Sequence, residues 1–249
     1  MMKVKIIRKM VQVFFLVILL LPIWYTDLLW YGTYISADLM GLELTDPLTA
    51  LEITLASKSL WGPLLLSALP LTLVAVLLGR VFCSFVCPLN FLLELLPVDK
   101  KKPLQDKRWP LRALILVLCL SLFLAMPVFN IFSPVFALMR MLLFGAGLEL
   151  LLLLLVAGAG LVWGRKIWCR TLCPLGAIYG LLGMKRLLRV AVDESKCTHC
   201  GKCAAVCSMG TAPGMDSVDD NMLCTNCGDC IDGCKEGAVS FTFKGKNKQ

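Results

Sequence analysis

The sequence predicts an all-α membrane domain of four transmembrane helices, arranged as two repeated hairpins, followed by a small α+β domain. Two observations lead to this prediction: the apolar residues, 58% of the chain, come in long blocks, and the composition turns polar near residue 190. Long unbroken apolar blocks are typical of membrane proteins. We therefore divide the chain into a four-helix domain, residues 1–189, and a small domain, residues 190–249.

Each of four apolar blocks approaches or exceeds the roughly 20 residues needed to cross a bilayer. The blocks are Val11–Trp30, Leu60–Leu78, Ala113–Phe132 and Leu143–Trp163. The first is long for a signal-peptide core and lacks a convincing cleavage site, so we expect a retained helix. The last apolar stretch, Leu175–Arg189, is short and ends in basic residues, so we expect an interfacial helix.

The charge distribution predicts the orientation of the four helices. The net charge is +8, and within residues 1–189 all basic residues except Lys58 and Arg140 precede the first block or lie in the segments 80–112 and 165–189. Cytoplasmic loops carry an excess of Lys and Arg, so both ends of the chain are expected to face the cytoplasm. The pattern accounts for the basicity without a nucleic-acid partner. It predicts a multi-pass protein of a bacterial or archaeal cytoplasmic (inner) membrane, in contact with membrane lipid.

One cysteine motif occurs twice in the four-helix domain, at an offset of 86 residues. Cys83-x3-Cys87-Pro follows the second block, and Cys169-x3-Cys173-Pro follows the fourth. Residues four apart share a face of a helix, so each pair can aim both sulfurs at one point. The four cysteines could hold a metal jointly, cycle as dithiols, or pack as small apolar residues. We treat them as a hypothetical metal site.

The small domain contains two copies of the motif C-x2-C-x2-C-x3-C. The first copy runs from Cys197 to Cys207 and the second from Cys224 to Cys234. This spacing lets a short, turning backbone present thiolates to a [4Fe–4S] cluster. A pair of zinc sites is the alternative, but zinc usually takes two C-x2-4-C pairs rather than cysteines at three-residue steps. The motif therefore predicts a two-cluster ferredoxin domain on the cytoplasmic side.

The eight cysteines of these two runs divide into two predicted ligand sets. In two-cluster ferredoxins the fourth cysteine of each run ligates the other cluster. The first set is therefore Cys197, Cys200, Cys203 and Cys234, and the second set is Cys224, Cys227, Cys230 and Cys207. Cluster ligation is expected to supply much of the folding energy of so small a domain.

The histidine content argues against a haem. The chain has one histidine, His199, which lies within the first cysteine run. A haem in a membrane domain takes axial ligands that are typically histidines of the helices, and the four-helix domain has none. We expect no haem, and we expect His199 to be a solvated loop residue.

The combination of four helices, two C-x3-C-P motifs and a C-terminal two-cluster ferredoxin resembles the NapH-type membrane quinol dehydrogenase family. Related modules occur in NosR-like and MauN-like proteins. The resemblance covers essentially the whole chain. It implies a quinone or quinol ligand, and electron exchange between the quinol pool and periplasmic or cytoplasmic redox partner proteins, which would make the chain a quinol dehydrogenase subunit.

Quinol oxidation would require a proton acceptor, and the sequence offers two candidates. Glu149 lies inside the fourth block and Asp27 near the end of the first. Ionisable residues within a membrane are usually functional, although both could lie in the headgroup layer. Two alternative functions stay open at this level. One is a membrane ferredoxin for metal-centre maturation or redox sensing, and the other is a membrane anchor that docks a soluble redox partner.

Overall fold

The computed structural model describes residues 4–24, 30–32, 36–39, 42–96, 106–145, 147–164, 166–211, 213 and 218–243. These residues contain fourteen α-helices and five short strands. The helices before residue 97 are α1 (Val4–Trp24), α2 (Pro47–Ser57), α3 (Gly62–Leu78), α4 (Val81–Phe85) and α5 (Pro88–Glu94). Those between residues 106 and 182 are α6 (Trp109–Leu124), α7 (Val128–Phe132), α8 (Pro134–Phe144), α9 (Leu148–Trp163), α10 (Ile167–Thr171) and α11 (Pro174–Leu182).

The remaining helices and a two-stranded sheet form the C-terminal part. Its helices are α12 (Lys202–Val206), α13 (Val218–Leu223) and α14 (Asp229–Gly233). The strands are β1 (Trp30–Gly32), β2 (Ser36–Leu39), β3 (Leu42–Thr45), β4 (Leu188–Val192) and β5 (Val239–Phe243). The first three form an antiparallel sheet in the order β1-β2-β3. Strands β4 and β5 pair antiparallel and enclose both cysteine runs between them in the sequence.

The predicted fold of four membrane spans is wrong. Within the described part of the chain, no helix is both long enough and apolar enough to cross a bilayer. The third and fourth apolar blocks are longer than the helices within them because turn residues interrupt these blocks. Ala125 (φ 52°) and Pro127 divide the third block, and Gly145 (φ 91°) precedes the helix of the fourth. Helix α3 has 17 residues and α6 and α9 have 16 each, fewer than the roughly 20 of a span.

The interfacial helix expected at Leu175–Arg189 is likewise replaced by a buried one. Helix α11 has Leu175, Ala177 and Tyr179 at most 3% exposed. A 3-10 turn follows at Gly183–Lys185, and the chain then enters β4. The basic residues that suggested a membrane surface therefore lie beyond the helix rather than along one of its faces.

Two apolar clusters make up the core of the helical part. One joins α5, α8 and α9, and the other joins α2, α3, α6, α7 and α11. The rings of Phe82 and Trp168 pack against both clusters. Helices α4 and α10, which carry these two rings and the first cysteine of each C-x3-C-P motif, therefore lie where the two clusters meet.

Buried hydrogen bonds attach the second cysteine run to the helical core. Arg80 Nη1 donates to the carbonyl oxygen of Met222 at 3.2 Å, and Ser84 Oγ donates to that of Thr225 at 2.8 Å. Leaving such buried groups without partners would be costly. The second run is therefore fixed against the core.

Gly180 on α11 marks a close contact between this core and α13. A methyl group added at Gly180 would lie 2.5 Å from the carbonyl oxygen of Met222, closer than real side chains approach. We expect Gly180→Ala to lower the free energy of unfolding by about 1–3 kcal/mol, because backbone atoms must move to admit the methyl group.

Gly158→Ala on α9 is the matched control for this substitution. It also lies inside a helix, but nothing comes within 4 Å of the added methyl group. The free energy of unfolding of this variant is expected to rise by up to about 1 kcal/mol, because alanine is the better helix former. The free energy of unfolding of both variants is measured with a denaturant. Equal values for the two variants would contradict the close packing of α11 on α13.

Candidate functional site

The two C-terminal cysteine runs form two copies of one local structure. Gly201 and Gly228 have φ of 70° and 79° and directly precede the short helices α12 and α14, which carry the third cysteine of each run. Glycine adopts this left-handed conformation without steric cost. His199 and Asn226, at equivalent positions, both have φ 52°. Helices α12 and α14 pack against each other, so the two runs face one another.

The structure brings Cys207 of the first run to the cysteines of the second. Burial raises the pKa of Cys230, and the neighbouring thiols of Cys227, Cys224 and Cys207 raise it further. Only groups that lie close together perturb one another in this way. These are the four cysteines of the second predicted ligand set, which stays a prediction. A set of four thiols on tight turns fits a [4Fe–4S] cluster.

The two predicted ligand sets differ in their access to solvent. Cys200 of the first set is exposed, whereas Cys207 and Cys227 of the second set are buried. Burial also raises the pKa of Cys227 to about 11. The first set therefore lies at the surface, and the second lies between it and the helical core.

His199 lies on the exposed side of the first run. Among the described residues, one trio of potential ligand atoms lies within 4.8 Å of one another, from Glu194, Cys197 and His199. His199 Nε2 is 3.6 Å from the Glu194 carboxylate, and both side chains are about three-quarters exposed. Exposed groups of this kind often meet without a metal, so we assign no ion to them.

The four C-x3-C-P cysteines line a single cavity. Cys87 and Cys173 directly precede α5 and α11, each with proline in the first turn of the helix. Their backbone N–H groups donate to the carbonyl oxygens of Phe82 and Trp168 at 3.1 and 3.0 Å. The 86-residue sequence repeat is therefore also a structural repeat, and it brings both cysteine pairs together.

Each repeat also contributes a buried cation to the cavity wall. Arg80 and Lys166 directly precede α4 and α10, and they are 1% and 4% exposed. Phe82 and Trp168 line the same cavity, again at equivalent positions. We did not identify the two cations as site residues from the sequence. The 86-residue offset, which aligns Arg80 with Lys166, is the signal that could have found them.

Burial raises the pKa of all four thiols in this cavity. The pKa of Cys169 rises to about 11, although the charges of Lys166 and Arg80 act in the opposite direction. The pKa of Cys87 and that of Cys173 are raised further by neighbouring thiols of the cavity. The four cysteines thus lie close to one another and beside two cations, and a metal that bound them would displace the thiol protons.

Of the two acidic residues suggested as proton acceptors, the structure describes Glu149, which does not line the cavity of the C-x3-C-P cysteines. Glu149 forms a 3.0 Å ion pair with Arg140, and both side chains are partly exposed, at 28% and 39%. Asp27 lies outside the described residues.

The structure buries other acidic residues, among them Asp46 and Glu52. Asp46 directly precedes α2 and accepts hydrogen bonds from the N–H groups of Leu48 and Thr49 and from the hydroxyl of Tyr179, the last at 2.6 Å. Burial raises the pKa of Asp46 to about 6. Both acids lie in an acidic part of the sequence that gave no sign of burial.

Comparison with protein families points to iron–sulfur binding in both parts of the chain. A family model described as a 4Fe-4S binding domain matches residues 60–104 and 144–191. A second model with the same description matches residues 189–211. The first match covers both C-x3-C-P motifs, and the second covers the first cysteine run.

Several curated proteins are similar to most of the chain. The methylamine utilization ferredoxin-type protein MauN of Paracoccus denitrificans is 36% identical over 71% of this chain and 65% of MauN. The ferredoxin-type protein NapH of Escherichia coli is 34% identical over 81% of this chain and 74% of NapH. The chain thus spans about 65% of the length of the MauN relative. No solved structure matches the chain.

Proposed function

Because the chain belongs to the family of NapH and MauN ferredoxin-type proteins, we propose that it carries electrons between quinol and partner redox proteins through two [4Fe–4S] clusters. The family and its 4Fe-4S binding models make the chain an iron–sulfur electron-transfer protein. The number of clusters, the quinol and the partner proteins are the proposal.

The observation that carries this proposal is the arrangement of the two ligand sets from the surface inward. Cys200 of the first set is exposed, and a soluble partner could approach it. The second set is held against the helical core through Arg80 and Ser84. An outer and an inner cluster would form a path for single electrons between a docked protein and the core.

Exposed apolar side chains on three helices support a lipid-soluble electron donor. Leu66 and Leu73 on α3, Phe123 on α6 and Leu155 on α9 are each more than half exposed. Apolar surface of this kind marks an interaction site. We propose that these surfaces contact membrane lipid. Quinol would lose two electrons and two protons there; the protons would pass to water and the clusters would take the electrons one at a time.

Reduction by a quinol analogue tests the proposed function. The purified full chain, carrying its clusters and kept free of oxygen, is mixed with the quinol, and cluster reduction is followed by EPR spectroscopy. We expect reduction of the parent protein. Cys197→Ser and Cys224→Ser, one ligand from each set, should each lose the signal of one cluster.

Cys119→Ser is the matched control, because Cys119 is exposed and lies outside all cysteine motifs. It should behave as the parent protein does. If quinol leaves the clusters oxidised while a reduced soluble ferredoxin reduces them, quinol is not the donor. That result would favour a role in maturation or redox sensing.

A further inference from the structure

We propose that two buried arginines, Arg80 and Arg186, hold the reduction potential of the inner cluster above that of the outer cluster, so that a single electron resides on the inner one. The inner cluster is that of the second ligand set. The inference rests on the two clusters of the proposed function but not on quinol as the donor. Three observations support it: the burial of both guanidinium groups, their lack of carboxylate partners, and their contact with the loop that leads to Cys224.

The two arginine side chains are buried beside each other at the end of α3. They are 1% and 2% exposed. A methyl group added at Gly79, directly before Arg80 in the chain, would lie 2.7 Å from Cδ of Arg186. Burial lowers the pKa of Arg186, and the positive charges of Arg189 and Arg80 lower it further. Like charges packed together in a protein interior require a compensating negative charge.

Carboxylates do not supply this negative charge. Within the described part of the chain, neither Arg80 nor Arg186 forms an ion pair with an acidic side chain, whereas the buried cations Arg8 and Lys166 share Glu94. The Nε atoms of Arg80 and Arg186 are buried and have no hydrogen-bond partner. Native proteins pair nearly all buried polar groups, and a buried cation without a counter-charge is costly. The arrangement therefore indicates an anion beside these two side chains.

The loop that leads into the second cysteine run lies against both guanidinium groups. Arg186 Nη1 donates to the carbonyl oxygens of Asn221 and Cys224 at 2.7 and 3.5 Å. Arg80 Nη1 donates to the carbonyl oxygen of Leu223, directly before Cys224, at 3.4 Å. The charge of Cys224 opposes the effect of burial on the pKa of Arg186. The thiolates of the second ligand set are therefore the anion that would compensate the two cations.

A cation beside the first ligand set is in a different environment. Lys202 is exposed, and so is its neighbour Cys200. The backbone N–H of Lys202 lowers the pKa of Cys200, and the charge of the lysine adds a smaller effect. Water screens the charge of an exposed group, so such a cation stabilises a reduced cluster less than a buried cation does.

This difference in charge decides where an electron resides. Reduction adds one negative charge to a cluster, and its potential depends on nearby charge and on exposure to solvent. Burial by itself disfavours the added charge. Two positive charges face one added electron at the inner cluster, in surroundings where charges interact strongly, and we expect them to outweigh burial. One electron would then leave the outer cluster, which is oxidised, and reduce the inner one, without transfer of a proton.

Stepwise reduction of the parent protein tests the location of the electron. The full chain, carrying both clusters and kept free of oxygen, is titrated with dithionite, and the cluster signals are followed by EPR spectroscopy. Cys197→Ser and Cys224→Ser assign the signals. We expect the signal that Cys224→Ser lacks to appear first, with a midpoint potential higher by at least about 59 mV, which is a tenfold preference for one electron. The opposite order would overturn the proposal.

Arg186→Gln tests the charge itself. Arg186 is preferred to Arg80, because Arg80 also lines the cavity of the C-x3-C-P cysteines. Glutamine is neutral but can still donate to the loop carbonyl oxygens. We expect the midpoint potential of the inner cluster to fall by at least about 59 mV, a tenfold change. If the variant does not fold, the order of reduction in the parent protein decides.

Two further variants separate charge from structure. Arg186→Lys keeps a positive charge and should restore most of the potential of the inner cluster. Lys202→Gln is the matched control, because it removes an exposed cation beside the first ligand set. It should change the one-electron equilibrium constant of the outer cluster by less than about threefold, because water screens the charge. Equal shifts for Arg186→Gln and Arg186→Lys would show a structural role and overturn the proposal.

Iron content distinguishes failure of this inference from failure of the proposed function. A chain that binds about 8 iron atoms, but whose potentials do not respond to Arg186→Gln, would refute the inference and leave the two clusters in place. A chain that binds only about 4 would refute both. Clusters that dithionite reduces in the expected order, but quinol does not reduce, would support the inference and refute the quinol donor.

Discussion

Replacing Glu94 with glutamine is expected to lower the free energy of unfolding by about 3–5 kcal/mol. Glu94 Oε2 lies 3.1 Å from Arg8 Nη2, and its Oε1 lies 2.8 Å from Lys166 Nζ. The two cationic side chains are 2% and 3% exposed and that of Glu94 is 9% exposed. Removing the carboxylate would leave two buried cations with too little opposite charge, which is the costly way to break a buried ion pair.

The pKa values agree with an ionised Glu94. Burial alone would raise the pKa of Glu94, but the charges of Lys166 and Arg8 outweigh it and lower the pKa. The ion pairs also join separate parts of the molecule. Arg8 on α1 bonds to Asp229 on α14 at 2.9 Å and to the carbonyl oxygen of Cys227 at 2.7 Å. Loss of Glu94 should therefore loosen the second cysteine run as well as the core.

Asp219→Asn is the matched control for Glu94→Gln. Asp219 pairs with Arg108 at 3.4 Å, but the two side chains are 32% and 66% exposed. Surface pairs contribute about 0–1 kcal/mol. Denaturant unfolding of the cluster-loaded protein measures both variants. A loss below about 1 kcal/mol for Glu94→Gln would show that the buried network contributes no more than a surface pair.

Asp46 is expected to make the stability of the protein depend on pH. Burial raises its pKa from 3.8 to about 6, and the hydrogen bond from Tyr179 lowers it only in part. The folded protein therefore binds this proton more tightly than the unfolded chain does. The contribution of this proton to the free energy of unfolding is fully present below about pH 4 and is lost as the pH rises to about 6. A shift of this size corresponds to about 3 kcal/mol.

Asp46→Asn is expected to abolish this component of the pH dependence. Asparagine cannot ionise, but its side-chain oxygen can still accept hydrogen bonds at the start of α2. The measurement is the free energy of unfolding of both proteins across this pH range. The parent protein should lose stability relative to the variant as the pH rises. A constant difference between the two would contradict the raised pKa.

The variant Tyr179→Phe tests whether the Tyr179 hydroxyl lowers the pKa of Asp46. The hydroxyl of Tyr179 donates to Asp46 at 2.6 Å and lowers the pKa of the carboxyl group. Removing it should move the pH-dependent loss of stability to higher pH. A movement to lower pH would show that the hydroxyl does not act as a donor to the ionised carboxylate.

The length of the helices could not be predicted from the apolar blocks. Hydropathy does not register that Ala125 adopts a left-handed conformation or that Gly145 ends α8. Some of the apolar side chains that suggested membrane spans fill protein cores, as Leu114 and Leu153 do, whereas others are exposed. Hydropathy measures the preference for an apolar surrounding, and a protein interior and a bilayer both satisfy it.

The sequence by itself determined the features whose geometry is local. The spacing of the two cysteine runs and of the C-x3-C-P pairs sets the direction of neighbouring side chains within a turn or two of backbone, so these motifs could be read directly. Only the tertiary structure decided which distant residues meet. The two C-x3-C-P pairs share one cavity with Arg80 and Lys166, and Glu94 lies between Arg8 and Lys166. Such contacts join residues about a third of the chain apart, because helix packing, rather than local backbone geometry, brings them together.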